Sequence, residues 1–84
     1  MNNRYLTEIE FERERGREKW GDEFDVNNTI NDWTAYICQY AGRANDTNNP
    51  VEQRQNLVKV AGLVLSALEA YNHRGGDFAP RHYD

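Results

Sequence analysis

Apolar residues recur at helical spacing in three parts of the chain, and the last part gives the clearest pattern. In the segment "EQRQNLVKVAGLVLSALEAYNHR", five apolar side chains step alternately by four and three residues: Leu57, Ala61, Val64, Leu68 and Tyr71. This spacing keeps side chains on one face of a helix and is typical of a coiled-coil-like seam. Asn49 and Pro50 suit the start of a helix, Glu52 can bond back to its cap, and Gly75 suits its end. The pattern therefore predicts a helix over residues 50–74.

A second apolar rhythm follows the polar stretch "DVNN". Its members recur at three- and four-residue steps: Ile30, Trp33, Ile37, Tyr40 and Ala44. Thr29 and Asp32 form the capping-box pattern, in which a hydroxyl and a carboxylate three residues apart satisfy backbone donors reciprocally. The small, mostly polar residues of "ANDTNN" then interrupt the period. A helix with one buried face is predicted over residues 29–44.

The segment "TEIEFERERGREKW" carries alternating charges and little apolar content. Thr7 and Glu10 repeat the capping-box pattern, which predicts a helix over residues 7–20. Oppositely charged residues three positions apart support this helix: Glu10 and Arg13, Glu12 and Arg15, Glu14 and Arg17. Gly16 weakens it, and Trp20 is expected to anchor its end. We interpret the segment as a solvated, salt-bridged helix that docks on a core built elsewhere.

Residues 75–84, "GGDFAPRHYD", have two glycines, a proline and no period, which predicts an extended tail. Phe78 and Tyr83 are its candidate anchors on a neighbouring surface. The whole chain, residues 1–84, is therefore expected to be a single all-α domain of three helices followed by this tail.

The third predicted helix is apolar on nearly all sides, so it must be covered on nearly all sides. At 84 residues, a single core is marginal and oligomerisation often supplies the missing burial. The first two predicted helices are short and partly polar, so they offer little apolar surface to bury the third, although they could wrap it in a monomer. We therefore expect a homo-oligomer in which the third helix packs on a copy of itself. The expected interface comprises Leu57, Val58, Ala61, Gly62, Val64, Leu65, Leu68 and Tyr71.

Composition narrows the setting in which the protein acts. With 38% hydrophobic and 12% aromatic residues, the chain should fold. Its net charge of −4 argues against nucleic acids and anionic membranes as partners, and its longest apolar run is too short to span a bilayer. Cys38 has no second cysteine to pair with, and the amino terminus lacks a signal-peptide pattern. A cytoplasmic location is expected.

The sequence contains no complete catalytic or cofactor motif. One cysteine and two histidines do not make a structural zinc site, and no glycine-rich phosphate loop occurs in a strand-turn-helix context. Cys38, in a helix with a buried face, is expected to be a small packing residue rather than a nucleophile. No metal, cofactor or catalytic residue is therefore predicted.

The stretch "ERERGREKWGDEF", a tryptophan-containing helix and the final "EQRQNLVKVAGLVLSALEAYNHR" together resemble the small phage-encoded MazG-like proteins. That family often shows an arginine-rich stretch ending in "KWG" and a final helix of the type "ELVQVAAVAVAWLEA". The resemblance covers most of residues 10–74 and implies an all-α, phage-type scaffold. It also implies nucleoside triphosphate pyrophosphohydrolase activity, for which the family holds magnesium with an ExxE motif on one helix and an ExxD motif on the next.

The metal-binding acids that this resemblance implies are not found in the matching helices. "NDWTAYICQYAGRA" contains only Asp32, at its cap, and "NLVKVAGLVLSALEA" contains only Glu69. Two isolated acids cannot form a four-carboxylate site, and the glutamates of the first helix alternate with arginines that would repel a metal ion. We therefore interpret the scaffold as non-catalytic, with a weak magnesium-dependent pyrophosphohydrolase as an alternative.

The sequence favours a small binding protein for a nucleotide or a nucleotide-derived signal. Cationic side chains would meet its phosphates, and aromatic side chains would stack on its base. The candidates are Trp33, Tyr36, Tyr40, Arg43, Arg54, Lys59, Arg74 and Arg81. A second alternative is an anti-defence protein that inhibits a host protein. In that case its acidic surface and its aromatic tail would contact the host protein.

Overall fold

The computed structural model describes residues 3–81, without the side chains of residues 22–24, and this part of the chain is all-α. It contains four helices: α1 (Asn3–Trp20), α2 (Asp22–Asn27), α3 (Ile30–Asp46) and α4 (Pro50–His73). They account for 82% of the described residues, which form no strand. The predicted fold class is confirmed, and the predicted anchor Tyr83 lies outside the described residues.

The longest helix, α4, is the element against which α1, α2 and α3 all pack. The core lies between α3 and α4, where Trp33 is 1% exposed and rests against Ala67 and Ala70. Partly buried side chains complete this cluster: Tyr36, Leu63 and Phe78. Because alanine side chains are small, the indole ring can pack closely on α4, and α3 lies close to α4 at this point.

The caps of α3 and α4 agree with the sequence pattern. The Thr29 backbone N–H donates to the Asp32 carboxylate at 2.9 Å, and the Asp32 backbone N–H donates to the Thr29 hydroxyl at 3.1 Å. The Asn49 side-chain oxygen accepts from the backbone N–H of Val51 at 2.9 Å, ahead of α4. Glu52 does not bond back to this cap as expected, because its carboxylate accepts from the Thr47 hydroxyl at 2.8 Å.

The carboxyl end of α4 closes at the predicted glycine, and the following segment returns to the core. Gly75 has a φ of 78°, the left-handed conformation that costs glycine little. Beyond it, the Phe78 ring lies 5.2 Å from the Tyr71 ring, centroid to centroid, and Ala79 forms an isolated parallel bridge with Thr29. Phe78 is therefore an anchor on its own chain rather than on a neighbouring one.

Helix α1 differs from its prediction at both ends. It already includes Asn3, so Thr7 lies inside the helix and the predicted cap at Thr7 and Glu10 is wrong. A hydroxyl three residues before a glutamate also occurs within helices, and this short pattern cannot separate the two cases. The helix continues through Gly16, and Trp20 is 57% exposed rather than buried as an anchor.

The short helix α2 was not predicted, because six residues hold too few apolar positions to show a period. Arg74 is the C-cap residue of α4, where its backbone N–H donates to the Ala70 carbonyl at 3.1 Å. Its guanidinium also donates to the Val26 carbonyl of α2 at 3.1 Å, which ties the end of α4 to α2. Cys38 was expected to pack in the core but is exposed. No helix in the described range is long and apolar enough to cross a membrane.

Helix α1 crosses α4 at Gly62. A Cβ atom placed on Gly62 would lie 3.1 Å from the Glu12 Cγ and 3.4 Å from the Arg13 backbone nitrogen. Gly62 was expected to admit a copy of α4, but it admits α1 of the same chain. Val58 also lies beside α1, where it lines a groove. The large apolar residues of the predicted seam remain exposed: Leu57, Val64, Leu68 and Tyr71.

The crossing at Gly62 predicts opposite outcomes for the same substitution at two glycines. Gly62→Leu should lower the free energy of unfolding by about 1–3 kcal/mol, because the side chain would push α1 away from α4. Gly42→Leu is the matched control. No atom lies within 4 Å of a Cβ at that position, so the better helix propensity should raise stability by up to about 1 kcal/mol. Urea unfolding followed by circular dichroism measures both changes, and equal destabilisation by the two variants would contradict the close crossing.

Candidate functional site

Two grooves open where α1 lies across the other helices. The larger, about 830 Å³, lies between α1 and α4 and is lined by Glu8, Phe11, Glu12, Glu14, Arg15, Glu18, Gln55, Val58 and Lys59. The smaller, about 410 Å³, is lined mainly by α1, α3 and α4. Its lining residues are Glu12, Arg13, Arg15, Gly16, Lys19, Trp20, Asp25, Trp33, Tyr36, Gln39, Tyr40, Lys59, Gly62, Leu63 and Ser66. We refer to the second as the aromatic groove.

The aromatic groove is positively charged, although the chain as a whole is acidic. Four of its lining residues are cations, and two are carboxylates, which leaves a formal excess of two positive charges. The larger groove has four glutamates and two cations. By its lining residues, the aromatic groove is thus the less acidic of the two, and two further carboxylates, Glu14 and Glu69, hold Arg13 beside it.

Four aromatic side chains surround this cationic space. Trp33 lies at the buried side and Trp20 at the open side, with Tyr36 and Tyr40 of α3 also lining it. The Tyr40 ring has two cations near it, the Arg43 guanidinium at 4.8 Å and the Lys59 ammonium at 5.3 Å from its centroid. The groove therefore offers flat apolar surfaces and cations to one ligand.

The cations differ in how strongly carboxylates already hold them. Arg13 pairs with Glu14 at 2.5 Å and with Glu69 of α4, and Arg15 pairs with Glu12 at 2.8 Å. The Glu12 hydrogen bond and charge raise the pKa of Arg15. The ammonium groups of Lys19 and Lys59 lie over the Trp20 and Tyr40 rings, without a carboxylate partner among the described residues. The two lysines are the cations most readily available to an anionic ligand.

The structure brings together only some of the residues predicted to bind a ligand. Trp33, Tyr36, Tyr40 and Lys59 line the aromatic groove, and Arg43 contacts it through Tyr40. The other predicted cations do not line it: Arg54, Arg74 and Arg81. Arg74 is held at α2, as described above, and Arg81 lies in the irregular segment after α4.

Sequence reasoning missed the contribution of α1 to this groove. The sequence pattern predicts that Arg13, Arg15 and Lys19 belong to a solvated, salt-bridged helix and that Trp20 anchors its end. Glu12–Arg15 and Glu14–Arg17 do form as predicted, whereas Arg13 pairs with Glu14 and Glu69 rather than with Glu10. One local signal could have indicated the groove: the dipeptide "KW", Lys19 and Trp20, places a cation next to an aromatic residue at the end of α1.

Arg54 holds a carboxylate of its own chain, which is why it is not available to a ligand. Its two terminal nitrogens donate to the two carboxylate oxygens of Glu8, each at 2.6 Å. These hydrogen bonds are the main cause that lowers the pKa of Glu8. Desolvation acts in the opposite direction, and the charges of Arg54 and Arg4 lower the pKa further. The same pair raises the pKa of Arg54. Arg54 thus fastens the start of α1 to the start of α4.

No group of three or more His, Cys, Asp or Glu residues in the described part of the chain is arranged to hold a metal ion. Asp32, the acid of α3 considered for such a site, holds the α3 cap with Thr29. Glu69 pairs with Arg13. The alternative of a magnesium-dependent pyrophosphohydrolase therefore gains no ligand set from these residues.

Comparisons with protein-family models, curated proteins and solved structures find no match to this chain. The resemblance to MazG-like proteins therefore stays a prediction.

The Glu8–Arg54 pair should make the free energy of unfolding fall as the solution becomes acidic. Because the pKa of Glu8 is lower in the folded chain, the pair stabilises the fold above the unfolded pKa, and this contribution is lost as pH falls through the folded pKa. We expect Arg54→Gln to raise the pKa of Glu8, measured by NMR titration of its carboxyl carbon, and Arg43→Gln to leave it unchanged. Arg54→Gln should lower the free energy of unfolding at pH 7 more than at pH 2. An unchanged Glu8 titration in Arg54→Gln would show that this pair does not form in solution.

Proposed function

We propose that this protein binds a nucleotide, or a nucleotide-derived signal, in the aromatic groove. The observation that carries the proposal is the convergence of Trp20, Tyr40, Lys19 and Lys59 from three helices around one space of about 410 Å³. That volume lies in the range of small-molecule sites, about 300–1,000 Å³. The binding is proposed without a catalytic step.

The two kinds of lining residue suit the two parts of a nucleotide. A base stacks on an exposed aromatic face, and the indole of Trp20 is the most exposed ring of the groove. Phosphates favour cations that are not already neutralised, and Lys19 and Lys59 are such cations among the described residues. Each lysine lies within 5.3 Å of an aromatic ring centroid, so a ligand could reach ring and ammonium together.

The resemblance to MazG-like proteins, which is itself a prediction, adds support for a nucleotide over other aromatic anions. A scaffold of that kind without its metal-binding acids would bind a nucleotide and not hydrolyse it. In a phage-type setting, such a protein would sequester the nucleotide. The alternative of a protein inhibitor stays a prediction, since no described contact favours it.

A thermal-shift screen against mononucleotides, triphosphates and cyclic dinucleotides, each with and without magnesium, tests the proposal. A ligand that binds only the native state raises the melting temperature by mass action. Lys59→Gln should weaken binding of the best nucleotide about tenfold or more, because a hydrogen bond to a charged group contributes about 1.5–3 kcal/mol. Arg81→Gln removes the same charge outside the groove and should leave the affinity within about twofold. Titration calorimetry gives the dissociation constants.

Two results would contradict the proposal. One is the absence of a shift with every nucleotide, which would leave the inhibitor alternative as the next to test, by capture of partner proteins. The other is an equal loss of affinity in Lys59→Gln and Arg81→Gln, which would indicate non-specific attraction to positive charge rather than a site. Trp20→Leu provides an independent check, because loss of stacking should weaken binding by about 1–3 kcal/mol.

A further inference from the structure

Helix α4 carries an apolar stripe that no described helix covers. It runs along the helix through Leu57, Ala61, Val64, Leu68 and Tyr71. Leu57 is 59% exposed and Leu68 58%, while Val64 and Tyr71 are each exposed by about two-fifths. From Leu57 to Tyr71 the stripe extends about 21 Å at the rise of an α-helix. It lies on a different side of α4 from Gly62, Leu63 and Ser66, which line the aromatic groove.

The chain taken alone is less compact than a monomer of its mass. Its accessible surface is 6105 Å², whereas a folded monomer of 9.8 kDa has about 5,200 Å². Its radius of gyration is 13.5 Å, against about 12 Å for a compact domain of 84 residues. The surplus surface of about 900 Å² is of the same order as the 800 Å² that each partner buries in an interface of standard size, although it is spread over the whole molecule.

The described core is also small. The buried apolar residues among those described are Trp33, Ala67 and Ala70, two of which are alanines. A chain of this size with so few buried large side chains gains stability when a partner covers further apolar surface. The stripe is suited to this purpose, because its residues share one face of one helix.

We propose that α4 pairs with α4 of a second copy of this chain, in an antiparallel dimer centred between residues 62 and 63. In that register, Leu57 packs on Leu68 of the partner subunit, and Ala61 packs on Val64 of the partner subunit. Arg54 then lies opposite Tyr71 of the partner subunit, where a guanidinium can stack on a ring while Glu8 still holds it.

The stripe itself selects the antiparallel arrangement over the parallel one. A parallel pair would place Arg54 against Arg54 and Ala61 against Ala61, which combines like charges with a gap in the packing. The antiparallel pair places a large residue against a small one at the centre and an aromatic ring against each arginine. A two-fold interface needs a self-complementary surface, and the stripe is one in this orientation.

Disulfide cross-linking distinguishes the two orientations. All variants carry Cys38→Ser, because Cys38 is exposed. Leu57→Cys mixed with Leu68→Cys should give a cross-linked dimer on mild oxidation. Leu57→Cys alone should not, because its two copies would be offset by 11 residues, about 16 Å along the helix, beyond the roughly 7 Å between Cα atoms that a disulfide spans. Cross-linking of Leu57→Cys alone, with no mixed product, would overturn the antiparallel register.

Sedimentation equilibrium tests the dimer itself. The wild type should sediment as a dimer, and Leu57→Glu should raise the dimer dissociation constant at least about tenfold. Phe11→Glu is the matched control, since it introduces the same charge at a large exposed apolar residue of α1, outside the stripe, and should leave dimerisation unchanged. Circular dichroism should show both variants folded. A monomeric wild type up to about millimolar concentration, or equal loss in the two variants, would overturn the proposal, whatever the outcome of the nucleotide screen.

Discussion

The burial of Trp33 between α3 and α4 is the interaction on which the rest of the arrangement depends. Among the described apolar side chains, it is the large one that is fully buried, and replacing such a residue by alanine typically costs about 3–5 kcal/mol. The indole packs on α4 only where the residues of α4 are small, and Ala67 and Ala70 are such residues. One face of α4 packs on α3, and Gly62 on another side receives α1. The remaining apolar face, with Leu57, Val64 and Leu68, is covered by no described helix.

The crossing of α1 over α4 also separates the charges of an alternating sequence. Glu8, Glu14 and Glu18 line the larger groove, whereas Arg13 and Lys19 line the aromatic one. The separation is partial, because Glu12 and Arg15 line both grooves, but it leaves more cations than carboxylates among the residues that line the aromatic groove. The same segment that reads as a uniform, solvated run along the sequence thus differs strongly from one side to the other in three dimensions.

Sequence patterns predicted the features whose causes are local. The caps of α3 and α4 depend on residues within three or four positions. Thr29 with Asp32 and Asn49 were predicted correctly, whereas Glu52 bonds to Thr47 instead of its cap. The start of α1 was wrong because the same short pattern occurs inside helices, and α2 was too short to show a period. The aromatic groove could not be predicted as a whole, since Lys19 and Lys59 meet only through the crossing at Gly62.

The core around Trp33 can be completed only after residues far later in the chain, up to Phe78, have been synthesised. Trp33 leaves the ribosome long before Ala67 and Ala70, which form its seat, and before Phe78, which packs against the same cluster. Helix α3 therefore emerges with its largest aromatic side chain uncovered, because a domain generally folds as a unit. Until residues 67–78 are available, the nascent chain exposes a tryptophan that a chaperone or another nascent chain can bind.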